Sequence, residues 1–537
     1  MARFSARPAT RLSSAAIADA RRRAWPLLLR FAVPLAALAV ALRQLQEDAR
    51  IYPDWLRWAD QGHYMDSARA WAALNFDPTQ HNYPPGYALL AVPFVYLTPD
   101  NPFLVPDLLL TLATLLLFVR ICRRLAPDLP HIDAAAASCF VIATVPGQRS
   151  ADMWAEPWTT TAAAPFLLLS LVLALKYGES LGRRALVALG VTAGLGAMVR
   201  PSDAVLVFGV CALYCLIVSA QFGVRRVAAN AGIIASAVVV GLLPFAATHW
   251  LVHGFSAGRY IGGSAARGLE WRLIPLRWVT LAVGPRPLFP QGVGMEVVFP
   301  WLLPGIGGML LSMAVQRGRA LGANILVVAA VSVYWLLYLS YRDLHATGLW
   351  RYGNVHYFKW TLPFLAFWAF LLGRAWLVPG RRVGALAALA GASLLFCWRP
   401  VFVPDSHGVE TTDAVHAGVP GGLTPVNRAF LLAAQGTSFD LYFGGSELRI
   451  GDRGFFNQHD IKMFPDGPNL LMMPLRVLPP GDGSLTVAPG VVLPTQAAWV
   501  AGTARLQFGV PCLVTPRLGD CKPRAEDLRP AAAGNRP

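Results

Sequence analysis

Chemistry-bearing side chains crowd the stretch "WADQGHYMDSARAWAALNFDPTQHNYPPGYALLAVPF", Trp58 to Phe94. Asp60 and Asp66 lie in it and Asp54 just before it. A carboxylate in such a loop can take the proton of an attacking hydroxyl, or simply cap a helix. Asp60 and Tyr64 are four apart, so on a helix they share one face. His63 and His81 bracket Tyr64. A His, His, Asp set could hold a transition metal, although a histidine at a membrane interface serves more often as a hydrogen-bond donor. Tyr83-Pro84-Pro85 is expected to fix chain direction, because the prolines restrict the backbone and end any preceding helix.

Three further segments carry polar chemistry. "RSADMWAEPWTTT" (Arg149–Thr161) holds Asp152 and Glu156. A second carboxylate there could bind substrate, orient a base or hold a divalent ion, and the bland alternative is an acid at a helix start before Pro157. Between Leu251 and Glu296 stand Arg259, Arg267, Arg272, Arg277 and Arg286 against Glu270 and Glu296. "GLWRYGNVHYFKW" interleaves Arg351, Tyr352, His356 and Lys359 with aromatic residues. Arginine pairs with phosphate oxygens in a bidentate way. Arg200 and these basic residues therefore suit a phosphate, or else anionic lipid headgroups and an aromatic belt.

The elements that must position these residues are membrane spans. Of 537 residues, 55% are hydrophobic and only 14% charged, against about 25% charge in a soluble domain. Apolar runs of near-spanning length fall at 25–42, 103–119, 133–147, 158–175, 185–199, 203–221, 227–250, 297–314, 322–340, 360–377 and 383–398. This predicts an all-α polytopic membrane protein of about eleven helices, with 86–97 as an interfacial or re-entrant helix. Basic clusters follow the even-numbered spans, as in Arg120/Arg123/Arg124, Arg183/Arg184, Arg225/Arg226, Arg317/Arg319 and Arg374/Arg381/Arg382. With the arginine-rich residues 1–24 they mark one side as cytoplasmic. The net charge of +16 is then mostly topology, and nucleic acid is a poor explanation for it.

The transmembrane unit is expected over 25–398, with exported loops 43–102, 148–157, 251–296 and 341–359. An odd span count puts 399–537 outside as a small exported α+β or β-rich domain. Short apolar runs alternating with turns fit that reading. Cys512 and Cys521, across "CLVTPRLGDC", are expected to form a disulfide there. The five earlier cysteines lie in or beside spans, where a free thiol is a small apolar residue.

Asp60-x-x-x-Tyr64, the "SARAWAAL" helix and "YPPGYALLAVPF" together resemble the first exported loop of the GT-C glycosyltransferases. That superfamily includes the protein O-mannosyltransferases and the lipid A aminoarabinose transferases. "GAMVRPSDAVL" is similar to the family's helix end with Arg-Pro, and "RYGNVHYFKWTLPFLAFWAF" to its late exported loop. The resemblance covers about 1–380 in topology and only short motifs in sequence. It implies a multi-pass bacterial inner-membrane enzyme using a polyprenyl-phosphate sugar donor and a lipid, glycan or protein acceptor. Within it, Asp60 is singled out over Asp54 and Asp66 as an inverting general base by the D-x-x-x-Y spacing. Glu156 becomes the second acid, with Asp152 next to it in rank. Tyr64 is expected to hold the Asp60 carboxylate from the next helical turn. Tyr64, His63, His81, Tyr83, Asp152, Arg200, Arg259, Arg267, Arg272, Arg351, Tyr352, His356 and Lys359 are the substrate-binding candidates. Some members use a divalent metal and others none, which leaves the metal open.

Two other functions fit the topology. An O-antigen polymerase or ligase relies on Arg and His in a late loop, with no base after the first span. A lipid-linked sugar transporter or flippase usually carries ionisable residues at mid-membrane, and those positions are nearly free of charge here.

Overall fold

The computed structural model describes residues 30–51, 59–258, 294–341 and 354–397, short pieces of 260–282 and five strands between 437 and 508. The helices are α1 (Ala32–Ile51), α2 (Ala59–Ala72), α3 (Pro85–Ala91), α4 (Leu104–Leu125), α5 (Ile132–Thr144), α6 (Gln148–Ala155), α7 (Thr159–Ser180) and α8 (Arg183–Ala197). They continue as α9 (Pro201–Ala220), α10 (Val224–His253), α11 (Ile274–Trp278), α12 (Met295–Val298), α13 (Leu302–Val315), α14 (Gly318–Ser340), α15 (Leu362–Leu377) and α16 (Arg382–Cys397).

A helix stands at each of the eleven positions read from hydropathy. Five of them, α4, α7, α9, α10 and α14, are long and apolar enough to cross a bilayer. Their outward faces are apolar: Leu109, Leu116, Leu213, Ile217 and Val239 are all exposed. So much exposed aliphatic surface on regular helices is what lipid contact demands.

The first helix differs from expectation. It runs on to Ile51, nine residues past the expected end at 42, which leaves Asp60 nine residues beyond the helix and not eighteen. Hydropathy falls at Gln44, Glu47 and Asp48, but these polar groups are paired inside the bundle. Gln44 Nε2 donates to Thr111 Oγ1 at 2.9 Å and to the Trp154 carbonyl at 3.2 Å. Glu47 pairs with Arg43 at 2.9 Å. Partnered polar groups are tolerated where lone ones would end the helix.

Helix packing relies on small residues. α8 lies against α10, and a Cβ on Gly194 would stand 2.4 Å from the Gly241 backbone. Such close backbone approach is how helices associate in lipid, where apolar burial gives no preference between neighbours.

Polar contacts join the helix ends into two layers. At one end Arg123 pairs with Asp133 at 2.6 Å and Arg124 with Glu179 at 2.7 Å, while Gln316 Nε2 donates to the Leu125 carbonyl at 2.8 Å. At the other end lie the starts of α4, α7, α9 and α15 and the end of α14, where the candidate site residues gather.

Five short strands pair antiparallel in a sheet of order β3-β2-β1-β5-β4. These are β1 (Thr437–Tyr442), β2 (Glu447–Ile450), β3 (Arg453–Phe456), β4 (Leu475–Leu478) and β5 (Arg505–Phe508). Cys512 and Cys521 lie outside the described residues. Cys122, Cys139, Cys211 and Cys215 are free and buried.

Candidate functional site

Asp60 sits in the first turn of α2, where the helix dipole favours a carboxylate. The phenol that bonds it is Tyr83, whose hydroxyl donates to Asp60 Oδ1 at 2.5 Å. This corrects the expectation that Tyr64 performs that task. Tyr64 does share the helix face with Asp60, but it is buried in the apolar packing under α2 with Met65, Tyr87 and Phe103. Its ring supports Tyr83 at 4.7 Å and meets Tyr87 edge-on at 5.3 Å. Burial and the Asp60 charge hold both Tyr64 and Tyr83 well above the ordinary phenol range, so both remain protonated and Tyr83 is a dependable donor.

The Pro-Pro turn explains how Tyr83 arrives there. Pro84 caps α3 and Pro85 opens it, a position that suits proline. The Gly86 N–H then donates to the Met198 carbonyl at 2.8 Å. A Cβ on Gly86 would stand 2.8 Å from that backbone, so the site needs glycine. The "YPPG" turn thereby ties Asp60 to the segment two residues before Arg200.

Arg200 lies in the break between α8 and α9. It precedes Pro201, and its backbone is extended at φ −150° and ψ 95°, as pre-proline sterics favour. Its side chain is 6% exposed. It donates to Asp203 Oδ2 at 3.0 Å, Thr159 Oγ1 at 2.8 Å and the Tyr338 hydroxyl at 2.6 Å. The guanidinium also faces the Tyr357 ring at 4.8 Å. Asp203 accepts in turn from Tyr334 at 2.9 Å and from Tyr338.

The 3-10 turn Asn354–Phe358 brings in His356 and Lys359. His356 stacks on Trp158 with centroids 3.8 Å apart, and its Nδ1 is 2.9 Å from Thr160 Oγ1. The ring is 1% exposed. Burial, then the nearby Lys359 and Arg200, holds it well below the ordinary histidine range, so it is neutral. Its Nε2 is buried with no hydrogen-bond partner. Lys359 Nζ donates to the Met153 carbonyl at 2.8 Å and Thr161 Oγ1 at 2.5 Å. Burial lowers Lys359 to about 7, with Asp107 and Glu156 acting against that and Arg200 adding to it.

Glu156 accepts from Trp158 Nε1 at 3.1 Å and so joins the same region. Asp66 is exposed on the far side of α2 from the buried face. Asp54, Arg259, Arg267, Arg272, Arg351 and Tyr352, and the side chain of Asp152, lie outside the described residues. His63 accepts from Asn82 Nδ2 at 2.7 Å. His81 is fully engaged in the loop: its Nε2 donates to the Asn75 carbonyl at 2.8 Å and its Nδ1 stands 2.9 Å from Ser67 Oγ. Both nitrogens thereby brace the loop, and the ring packs on Trp71 at 4.9 Å. Among the described residues no three His, Cys, Asp or Glu side chains come close enough to hold a metal.

Sequence reasoning missed Asp203, Tyr338, Tyr260 and the Thr159–Thr161 run. The signals were there: three threonines opening an otherwise apolar helix, and an acid three residues after Arg200. Tyr260 packs against Tyr83 with ring centroids 5.4 Å apart and planes tilted by 53°. A small crevice beside Arg200 and Asp203 is lined by Ala163, Phe166, Leu167, Ser170, Thr192 and Gly196.

No family model and no curated protein matches the chain. A solved structure, the crystal structure of ArnT from Cupriavidus metallidurans bound to undecaprenyl phosphate, is similar at 16% identity with a TM-score of 0.44. The match covers 69% of this chain and 64% of that one. At this level it establishes neither a shared family nor a shared activity.

Proposed function

We propose that this chain is a GT-C-type membrane glycosyltransferase. It moves a sugar from a polyprenyl-phosphate donor to a hydroxyl acceptor at the exported face of a bacterial inner membrane. The observation that carries this reading is the Asp60–Tyr83 pair lying with Arg200, His356 and Lys359 at one end of the helical bundle, opposite the Arg123–Asp133 and Arg124–Glu179 pairs.

In this reading the acceptor hydroxyl gives its proton to Asp60 as its oxygen attacks the anomeric carbon. The bond from that carbon to the phosphate oxygen breaks, and polyprenyl phosphate leaves with the electron pair. A single in-line displacement inverts the anomeric centre. Tyr83 holds the carboxylate in place, which keeps the base aimed at the acceptor. Charge grows on the leaving phosphate, and Arg200, Lys359 and the open Nε2 of His356 are the groups that meet it. Glu156 orients this cationic side through Trp158, whose ring supports His356. The arginines of 251–296 add donor contacts.

The membrane topology belongs to the same proposal: eleven spans, residues 1–24 cytoplasmic, and 399–537 an exported domain with Cys512 and Cys521 bridged. The decisive experiment gives the purified protein a set of polyprenyl-phosphate sugars and scores release of polyprenyl phosphate. Consumption of one donor, with inversion in the product, supports the reading. Failure of every donor, in protein that binds polyprenyl phosphate no better than an Arg200→Met variant, defeats it.

A further inference from the structure

The three threonines that open α7 meet three basic side chains, and the middle one differs from its neighbours. Thr159 Oγ1 and Thr161 Oγ1 accept from Arg200 and Lys359. Thr160 Oγ1 stands 2.9 Å from His356 Nδ1, a contact in which either atom can be the donor. Thr160 is 2% exposed, and among the described residues its hydroxyl makes no other hydrogen bond. Thr111, Thr114 and Thr144, deeper in their helices, donate to the carbonyl four residues back. Thr160 lies in the first turn of its helix and makes no such bond. A buried hydroxyl proton needs an acceptor. The Nδ1 lone pair supplies it, so Thr160 donates and Nδ1 accepts.

The proton of the neutral ring is then on Nε2. Burial and the nearby Lys359 and Arg200 disfavour an imidazolium, as does the positive end of the α7 dipole. The ring is also held in place. Trp158, itself tied to Glu156, stacks on it with planes 15° apart, and Tyr357 packs on it at 4.3 Å. Nε2 is buried without a partner, so an oxygen brought to it breaks no existing hydrogen bond. A fixed neutral donor beside two cations matches an anionic oxygen. A protonated nitrogen cannot take the proton of an attacking hydroxyl, which leaves that task to Asp60.

We propose that Thr160 is a positioning residue that holds His356 as the Nε2–H tautomer, and that this N–H donates to a phosphate oxygen of a prenyl phosphate. It rests on the reading of this site as one that takes a polyprenyl-phosphate donor.

The test is magic-angle-spinning nitrogen-15 NMR on the full-length protein, labelled at histidine, in phosphatidylcholine bilayers near neutral pH. The difference from the His356→Gln spectrum assigns this ring among the ten histidines. His356 should show a protonated Nε2 and a bare, hydrogen-bonded Nδ1. A protonated Nδ1, or an imidazolium, overturns the assignment. Heptaprenyl phosphate should shift Nε2 and leave Nδ1 in place. Inorganic phosphate should do the same only at much higher concentration, and heptaprenol, which has no phosphate oxygens, should shift neither. No response to heptaprenyl phosphate, or an equal one to heptaprenol, overturns the proposal. Thr160→Val keeps the shape and removes the hydroxyl. It should abolish the Nδ1 hydrogen bond and weaken heptaprenyl phosphate binding about 3- to 10-fold, the worth of one hydrogen bond, and Thr160→Ser should restore both. Folded Thr160→Val protein that binds like wild type defeats the positioning role, and if that variant does not fold, the wild-type tautomer and its phosphate response still decide. Turnover measured in parallel separates the two ideas. An Nε2 response to heptaprenyl phosphate without turnover on any sugar donor sinks the transferase reading alone. Turnover that Asp60→Asn abolishes, in protein whose His356 carries its proton on Nδ1, sinks this assignment alone.

Discussion

The two ends of α7 carry charge in different ways. At its C-terminal end Glu179 meets Arg124 in an exposed pair, with side chains 38% and 25% accessible. At its N-terminal end Thr159, Thr160 and Thr161 bond Arg200, His356 and Lys359, all of them buried. Exposed charges interact weakly through water, so they can mark a side of the membrane without shaping a site. Buried charges must be satisfied by many fixed partners, and those partners define a geometry. The comparison teaches that topology and chemistry use the same residue types in opposite environments.

The largest effect should come from the base. Asp60→Asn keeps size and hydrogen bonding but cannot take a proton, so turnover should fall by roughly 10²–10⁴ while donor binding persists. Asp66→Asn should cost far less. Steady-state rates for both variants decide it, and wild-type turnover in folded Asp60→Asn protein would make that carboxylate structural.

Arg200→Met should be felt in folding as well as in donor use. It strands Asp203 among Tyr334 and Tyr338, and breaking one partner of a buried pair costs about 3–5 kcal/mol. Thermal melting in detergent measures this. Arg200→Met with Asp203→Leu should melt higher than Arg200→Met alone, because no buried charge remains unpaired.

Lys359 offers a test by pH. Its value of about 7 in the fold lies below the 10.5 of an exposed lysine. Between these values the unfolded chain binds more protons than the native one, so stability contributed here rises with pH across that window and is lost as pH falls toward 7. The melting-temperature difference between wild type and Lys359→Met should therefore shift in favour of wild type from pH 7 to 10. A pH-independent difference would show an unperturbed lysine. Charge on Lys359 also falls across pH 7, so donor affinity should weaken above it in wild type and not in Lys359→Met.

The smallest effect belongs to the other end of the bundle. Glu179→Gln should change stability by under about 1 kcal/mol and leave turnover unchanged. A large loss of activity there would break the division between the two ends.

Helix positions were legible because lipid demands long apolar runs and water does not tolerate them, so composition alone locates the bundle. The arginine clusters were legible for the same reason. The end of α1 was not, since Gln44 and Glu47 look like loop residues until their partners on α4 and α6 and within α1 itself are known. The opening stretch shows the same limit at the site. A spacing of four puts Asp60 and Tyr64 on one helix face, and that much follows from periodicity. Which tyrosine bonds the acid depended on a turn 19 residues further on, anchored by Gly86 against Met198. Likewise His63 and His81 look alike in sequence, yet one sits at a loop contact and the other has both nitrogens engaged. Residue type sets what a side chain can do, and periodicity sets its face within one helix. Contacts between segments far apart in the chain decide which face meets which, and here they alone bring Asp60, Arg200 and Lys359 to one place.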